Sequence, residues 1–428
     1  MYFRDDRGRI KKRGGFAVIR KNRLRRIFVW LFWITLIFTI AFSLTYIWLS
    51  VPDHLNLVVS EEEVFEFELP PGVTFESESE EVVLGNGSNI PEGQVRIQTT
   101  KPLSMCGTTQ GHYQIGMKLF GLIRMKEIQV DVVEDSYAIP CGTPVGIYLQ
   151  ADGVMVIGTG EITSEAGNVV EPAFGILRSG DYIEKVNGEP MEDKDALIEA
   201  VNACNGDAVH LEVRRDGELM KIDLEPVLSS DGSYKLGAWV RDDTQGIGTM
   251  TYVDMNGSFG ALGHGISDSD TGQLVHIREG ELYETKIVGI EKGEAGTPGV
   301  MAGVIYYGKG SELGDISANT DEGIFGHVNE KFLREIGAEP IPIGFRQDVK
   351  KGHAVILSNV SGEVREYDVE IQRVDQAPVQ KNKGMTLKIV DEELLELTGG
   401  IVQGMGVIDN RDNTKKPENK GFSTVTLN

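Results

Sequence analysis

The strongest constraint on this chain is an apolar stretch near its N-terminus that contains no charged residue, from Ile27 to Leu49. At 1.5 Å per helical residue, these 23 residues span the hydrocarbon core of a bilayer. A cleavable signal peptide has a shorter apolar segment and a small-residue cleavage site, whereas this stretch is longer and no A-x-A pattern follows it. The sequence therefore predicts one transmembrane helix over residues 27–49.

The distribution of charge predicts the orientation of this helix. Residues 1–26 contain eleven Lys or Arg against two Asp, a net charge of +9. Because the whole chain has a net charge of −23, the remaining residues together carry −32. A basic cluster directly before a span favours a cytoplasmic N-terminus, with the bulk of the chain outside. Because the acidic bulk repels phosphate backbones, we exclude nucleic acid as a partner.

Residues 50–138 read as an acidic, β-rich spacer of unassigned function. Two of its segments, Val64–Pro70 and Val95–Thr100, are candidate strands. The three cysteines of the whole chain are scattered, without metal-binding spacing, and are expected to be buried thiols: Cys106, Cys141 and Cys204. We expect no metal and no cofactor.

Residues 139–228 change in pattern. Ala173–Met191 reads as a turn, a strand and a tight Asn-Gly turn, and it is followed by a helix-like segment and a hairpin that turns at Asp216 and Gly217. The segment resembles a bacterial PDZ domain through Gly175, Ile176, Gly180, Asp181, Ile183, Val186, Asn187 and Gly188. PDZ domains bind an extended peptide as an added strand. The resemblance implies that Pro144–Leu149 holds a peptide carboxylate through the amides of Val145, Gly146 and Ile147.

The following half is rich in glycine. A strand is expected at Gly246–Asp254, and His264 stands between two glycines shortly after it. The Asp-Ser-Asp run at residues 268–270 lacks the spacing of a calcium loop, so a turn is expected there. A lone loop histidine is usually structural, but a second constellation lies at Lys388–Met405.

The runs from Gly246 to Asp268, Lys286 to Gly299 and Lys388 to Met405 together resemble the SpoIVB serine peptidase family. Its members are membrane-anchored, carry a PDZ domain and act between forespore and mother cell. There they cleave a regulator of an intramembrane protease and so trigger activation of a late sigma factor. The resemblance implies a trypsin-like domain over residues 234–405, with His264 as general base and Asp391 as the acid that orients it.

The nucleophile position departs from the family. A serine attacks an amide only when a histidine accepts its proton, and backbone amides of a glycine-rich turn then stabilise the oxyanion. The family turn reads G-M-S-G-S-P, whereas this chain has Gly406 at the serine position. Residues 406–428 are polar, lack strand alternation and do not resemble the family. We therefore expect an inactive copy with a truncated barrel.

The expected fold is mostly β: a cytoplasmic segment over 1–26, the transmembrane helix, the spacer, an α+β PDZ domain, a truncated trypsin-like β-barrel and a tail over 406–428. The expected function is that of a SpoIVB-type endopeptidase of sporulation signalling whose nucleophile is absent. The alternative is a membrane-tethered PDZ binding module or pseudopeptidase. Either protein would lie in the cytoplasmic or forespore membrane and face the intermembrane space of the developing spore. Its partners would be the membrane, through residues 27–49, and a protein or peptide, through the PDZ groove and the peptidase cleft.

Overall fold

The computed structural model describes residues 2–4, 10–12, 15–65, 67, 69–70, 72–77, 79, 81–85, 103–294, 297–337, 339–374, 385–400, 402, 404 and 406–409. The chain divides into two compact units, the first over residues 1–135 and the second from Ser136 onward. Strands dominate both units. The prediction of a mostly β chain with one apolar N-terminal helix is confirmed.

The first unit contains the helix and nine strands. They are β1 (Tyr2–Arg4), β2 (Ile10–Lys12), α1 (Gly15–Leu49), β3 (His54–Val58), β4 (Glu62–Phe65), β5 (Val73–Ser77), β6 (Val82–Gly85), β7 (Leu103–Gly107), β8 (Gly111–Leu119) and β9 (Ile123–Val133). The part of α1 from Arg25 to Leu49 is long and apolar enough to cross a membrane.

The spacer is built from two small sheets, of order β3-β9-β8-β5 and β4-β7-β6. Alternate residues of these strands, such as Leu55, Leu57, Val130 and Val132, are buried in one shared core. Of the two candidate strands, Val64–Pro70 overlaps only the end of β4, and Val95–Thr100 lies outside the described residues.

The second unit begins with β10 (Tyr137–Pro140), β11 (Pro144–Thr159), β12 (Ile162–Thr163), β13 (Val169–Val170), β14 (Tyr182–Val186), β15 (Glu189–Pro190), α2 (Lys194–Ala203), β16 (Val209–Arg215), β17 (Glu218–Leu224), β18 (Val227–Leu228), β19 (Tyr234–Lys235) and β20 (Ala238–Asp254). It continues with β21 (Ser258–Ala261), β22 (Ile277–Glu291), β23 (Val300–Ile305), β24 (Glu312–Thr320), β25 (Gly323–Val328), α3 (Glu330–Ile336), β26 (Ile341–Pro342), a 3-10 turn (Arg346–Asp348), β27 (Gly352–Ser358), β28 (Arg365–Val374), β29 (Met385–Ile389), α4 (Glu392–Thr398) and β30 (Val407–Asp409).

Six of these strands close into an antiparallel barrel. The pairing runs β11-β22-β24-β25-β21-β20, and β20 pairs again with β11. Closure leaves no open edge within the ring. Apolar side chains from these strands fill the interior, among them Ile147, Leu149, Phe259, Leu282 and Ile324. The predicted β-barrel is therefore present, and its first strand comes from the region that the sequence assigns to the PDZ domain.

The PDZ-like part extends from the second half of β11. The strands β14, β16 and β17 continue the sheet outward, and α2 packs its buried residues Leu197 and Val201 against them. The predicted Asn-Gly turn is confirmed by positive φ angles, 53° at Asn187 and 89° at Gly188. Asp193 caps α2, since its carboxylate accepts a hydrogen bond from Ala196 N at 2.7 Å.

A second sheet, of order β29-β28-β27-β30, carries α4 beside it and has its own core around Ile356, Val369 and Leu394. Its last strand, β30, pairs Leu357 with Val407 and Ile356 with Ile408. The sequence predicts no strand directly after Gly406, and this expectation is wrong. The three residues Val407–Asp409 pair well because two of them are β-branched and apolar.

Candidate active site

His264 lies in the loop that follows β21, at one end of the barrel. The backbone immediately before it is constrained, with φ of 71° at both the buried Leu262 and Gly263. A positive φ is unfavourable for leucine, so the surrounding packing must hold this conformation. Such local strain is typical of loops that present a functional side chain.

Two polar residues fix this loop: Asn319, which the sequence analysis did not single out, and Asp268, which it placed in a turn. Asn319 of β24 accepts a hydrogen bond from Ile266 N at 2.8 Å and donates to the carbonyl oxygens of Ile266 and Val275, both at 2.9 Å. No motif marks Asn319, because its partners lie more than 40 residues away in sequence. The loop around His264 is therefore rigidly connected to the barrel wall.

Asp268 is the second residue that holds the loop of His264 in place. Its carboxylate is buried, accepts hydrogen bonds from the amides of Asp270 and Thr271 at 2.9 Å, and pairs with Arg241 of β20. Asp270 pairs with the same guanidinium at 2.8 Å. Gly272 N closes the turn by donating to Asp268 O at 2.8 Å. The turn expected at these residues is confirmed, and their carboxylates are engaged by an arginine.

The hydrogen bond of His264 fixes its tautomer. Its Nδ1 lies 2.9 Å from Gly265 O. Because a carbonyl oxygen can only accept, Nδ1 carries the proton and the neutral ring keeps its lone pair on Nε2. This is the tautomer that a general base needs in order to take a proton from a hydroxyl group. A neutral carbonyl, however, stabilises the protonated ring less than a carboxylate would.

Asp391, predicted as the orienting acid, is placed differently. It caps α4, and its Oδ1 accepts a hydrogen bond from Leu394 N at 2.8 Å. Among the described residues no hydrogen bond or ion pair joins Asp391 to His264. A helix N-terminus with an exposed amide is a strong competitor for a carboxylate, which explains the arrangement.

Gly406, at the nucleophile position, is buried against β27. A Cβ atom added here would lie 2.2 Å from Leu357 O and 2.7 Å from Ile356 Cγ2. Both distances are shorter than any normal contact, and the nearer atom belongs to the backbone. This position therefore has no hydroxyl group and no room for one unless the sheet shifts.

The loop of His264 and the turn before Gly406 meet at one strand. Leu262 N donates to Thr249 O of β20 at 3.2 Å, and Thr249 Oγ1 donates to Gly404 O at 2.5 Å. The structure therefore brings the predicted base segment and the predicted nucleophile segment to the same part of β20. The sequence could not reveal Thr249, because threonine is common in strands.

Gly293 and Gly299, near the two ends of a glycine-rich segment, contact the same C-terminal region. Gly293 N donates to Thr398 O at 2.9 Å, and Gly299 forms an isolated parallel β-bridge with Val402. A Cβ at Gly299 would lie 2.9 Å from Val402 Cγ2, so glycine allows the two segments to approach.

The predicted carboxylate-binding segment requires correction. Val145, Gly146 and Ile147 lie in a strand and not in a loop. On one side they pair with residues 246–248 of β20, and on the other with residues 282–284 of β22. Because both edges of this strand are occupied, these residues have no free edge to which a peptide could add.

The second half of β11 is also paired. Residues 155–159 pair antiparallel with 238–241 at the start of β20. This segment of β20 lies beside α2, where Lys194 N donates to Asp242 Oδ2 at 2.9 Å. Its residues Ala238 and Val240 pack on the same core as α2. The start of β20, a segment of the same chain, therefore occupies the position between β11 and α2.

Comparison with known proteins gives the following similarities. Residues 232–410 match the family described as SpoIVB peptidase S55, which is less than half of the 428 residues. A solved PDZ domain of an SdrC-like protein from Listeria monocytogenes is 20% identical and covers 21% of this chain and 87% of that one, with a TM-score of 0.18. A comparison with curated proteins found no match.

The family match contains His264, Asp391 and Gly406, and it extends past the boundary at residue 405 to include β30. It also includes Thr249, Asn319 and the Asp268 turn. The resemblance that the motifs predicted is thereby confirmed: residues 232–410 match the SpoIVB peptidase S55 family.

Proposed function

We propose that this chain is a membrane-anchored SpoIVB-type peptidase homologue that does not hydrolyse peptide bonds. The observation that carries the proposal is the environment of Gly406, which lacks a hydroxyl group and lies against Leu357 O. Without a nucleophile, the lone pair on His264 Nε2 has no hydroxyl group to activate. Residues 232–410 then serve as a folded binding domain.

The role of the family gives the proposed setting. By resemblance, an active member cleaves a membrane-tethered regulator of an intramembrane protease during sporulation. A chain with the same domain and no nucleophile would bind that class of substrate without cutting it. The loop of His264 supports this idea, because Asn319 and Asp268 hold it in a defined conformation.

The proposed location is the forespore or cytoplasmic membrane, with the N-terminus in the cytoplasm. The length and composition of Arg25–Leu49 support a span, and the basic residues before it support this orientation. Both domains of the outer part would then face the intermembrane space.

Catalysis is tested with the full chain in lipid nanodiscs and a library of internally quenched peptides. A His264→Ala variant serves as the matched control, because it removes the only group proposed to act as a base. We expect equal, background-level fluorescence from both proteins. Hydrolysis by the unchanged chain that His264→Ala abolishes would overturn the proposal.

A further inference from the structure

The turn between β8 and β9 exposes an unusual group of apolar side chains. Phe120, Leu122 and Ile123 are 66%, 88% and 55% exposed. We call residues 119–123, which contain no charge, the hairpin tip. Scattered surface hydrophobics need no explanation, but a contiguous exposed cluster marks an interaction surface.

The hairpin tip has a defined conformation. Leu119 pairs with Ile123, so the turn has three residues, and Phe120 adopts a φ of 55°. Phe120 N donates to Gly72 O at 2.6 Å, and the ring lies over Gly72, where a Cβ would be only 2.6 Å from Cδ1. The apolar side chains therefore belong to a formed turn and remain exposed, although the Phe120 ring contacts Gly72.

The direction of β9 places the tip on the side of the unit where α1 enters. β3 follows α1 after four residues and runs parallel to β9, from the pair His54 and Gln129 to the pair Val58 and Val133. Residues of β9 that precede Gln129 therefore extend past the start of β3, toward α1.

Lys126 joins this part of β9 to the end of α1. Its buried ammonium donates to Trp48 O at 3.2 Å and to Val51 O at 2.5 Å, and it pairs with Asp53 at 2.8 Å. It also lies 4.7 Å from the centroid of the Trp48 ring. Ile47, 5% exposed, is buried in the same core as β9. The last turn of α1 and the hairpin thus form one packed body.

Ile123 precedes Lys126 by three residues, so the tip extends about 10 Å farther along the strand. Tyr46 and Trp48, which lie near the C-terminal end of the apolar segment, are residue types that lie at the boundary between lipid and water. The hairpin tip therefore lies on the side where α1 enters, farther along β9 than Lys126, the residue that contacts Trp48 O.

We propose that the hairpin tip inserts its apolar side chains into the outer leaflet beside α1, as a second membrane contact. The inference rests on the proposed membrane anchor. The ligand is the bilayer itself, because the tip is uncharged and its nearest cations, Lys118 and Arg124, pair with Glu76 and Glu127. Two contacts would fix the tilt of the first unit on the membrane.

The test uses the full chain in proteoliposomes, with an environment-sensitive fluorescent amino acid incorporated in place of one residue at a time. The positions are Leu122 in the tip, Ile37 in α1, and Val64 as a matched control. Val64 belongs to the same unit and is 56% exposed. Quenching is measured with lipids that carry a nitroxide at a shallow or a deep acyl position.

We expect several-fold stronger lipid quenching at Leu122 than at Val64, greatest with the shallow nitroxide, and deep quenching at Ile37. Quenching at Ile37 without quenching at Leu122 would overturn this inference and leave the anchor intact. Absence of quenching at Ile37 would remove the anchor and the inference with it. A blue-shifted but unquenched probe at Leu122 would indicate a protein contact, such as a second copy, and would also overturn it.

Discussion

At the residue scale, the positions of the catalytic motifs could be predicted from the sequence, whereas the contacts of their side chains could not. His264 and Gly406 stand at readable motif positions, and the structure brings their segments together at Thr249. The capping role of Asp391 was not foreseen, because the motif that suggests a catalytic acid also begins a helix. Cap and catalytic acid require the same residue type, and only the geometry separates them.

Asp268 gives a pH-dependent prediction. Burial raises the pKa of its carboxyl group, whereas the amides of Thr271 and Asp270 and the guanidinium of Arg241 lower it. The lowering is the larger effect, so the pKa of Asp268 lies below its usual value. A depressed folded-state pKa means that the stabilisation is present above the unfolded value, about 4, and is lost as the pH falls through the folded value.

We therefore expect Asp268→Asn to lower the free energy of unfolding at pH 7 by about 1.5–3 kcal/mol, the usual range for hydrogen bonds to a charged group. The difference from the unchanged protein should shrink as the pH falls below about 4. Thermal unfolding of both proteins at pH values from about 3 to 7 measures this difference. Asp270→Asn, which removes a more exposed partner of the same arginine, should have a smaller effect. Equal losses at all pH values would contradict the role of this carboxylate.

The packing at Gly406 predicts the effect of adding a side chain. Gly406→Ala should lower the melting temperature, corresponding to about 1–3 kcal/mol of overpacking against Leu357 O. Gly246→Ala is the matched control, because a Cβ at that strand glycine meets nothing within 4 Å. Gly406→Ser should destabilise similarly and restore no activity. A Gly406→Ala protein as stable as the Gly246→Ala protein would show that the sheet accommodates the atom.

At the element scale, β11 shows that a local sequence pattern does not reveal which distant strands pair with a segment. The sequence around Val145–Ile147 fits a PDZ loop, but its strand partners lie in β20 and β22, about 100 residues or more farther along the chain. The hairpin of β16 and β17 and the Asn-Gly turn were predictable, because their partners are close in sequence. A Gly146→Trp variant would therefore disrupt the barrel, since even a Cβ there lies 2.5 Å from Ile305 Cγ2.

Amide hydrogen exchange tests the pairing of β11 with β20. In the full chain, amides of residues 155–159 should exchange slowly before any peptide is added, because 238–241 already pair with them. The edge strand β17 provides the comparison within the same molecule. Fast exchange over 155–159 that slows when a C-terminal peptide is added would show an open groove and contradict the structure.

At the scale of the whole molecule, the order of the parts was readable, but the boundary between PDZ-like region and barrel was not. A composition change marks the start of the glycine-rich half, whereas β11 and β20 belong partly to the barrel and partly to the PDZ-like sheet. Domain boundaries drawn through a continuous strand leave no sequence signal. The spacer's two sheets were foreseen only as β-rich, because alternating acidic strands do not reveal their partners.

The orientation of the chain gives a prediction at this scale. In intact protoplasts, added protease should digest the outer part beyond Leu49 and leave the basic segment 1–26 protected, because the cluster before the span stays on the cytoplasmic side. Epitope tags at the two ends followed by immunoblotting measure this. Loss of the N-terminal tag with survival of the C-terminal one would reverse the topology.

The most direct measurement of the central claim is labelling by a serine-directed fluorophosphonate, followed by mass spectrometry of the tryptic peptides. The probe reacts only with a serine that a neighbouring base activates. With Gly406 at the nucleophile position, the full chain in nanodiscs should remain unlabelled, and His264→Ala should give the same result. A phosphonylated serine in the unchanged chain, absent from His264→Ala, would reveal a working nucleophile and contradict the account.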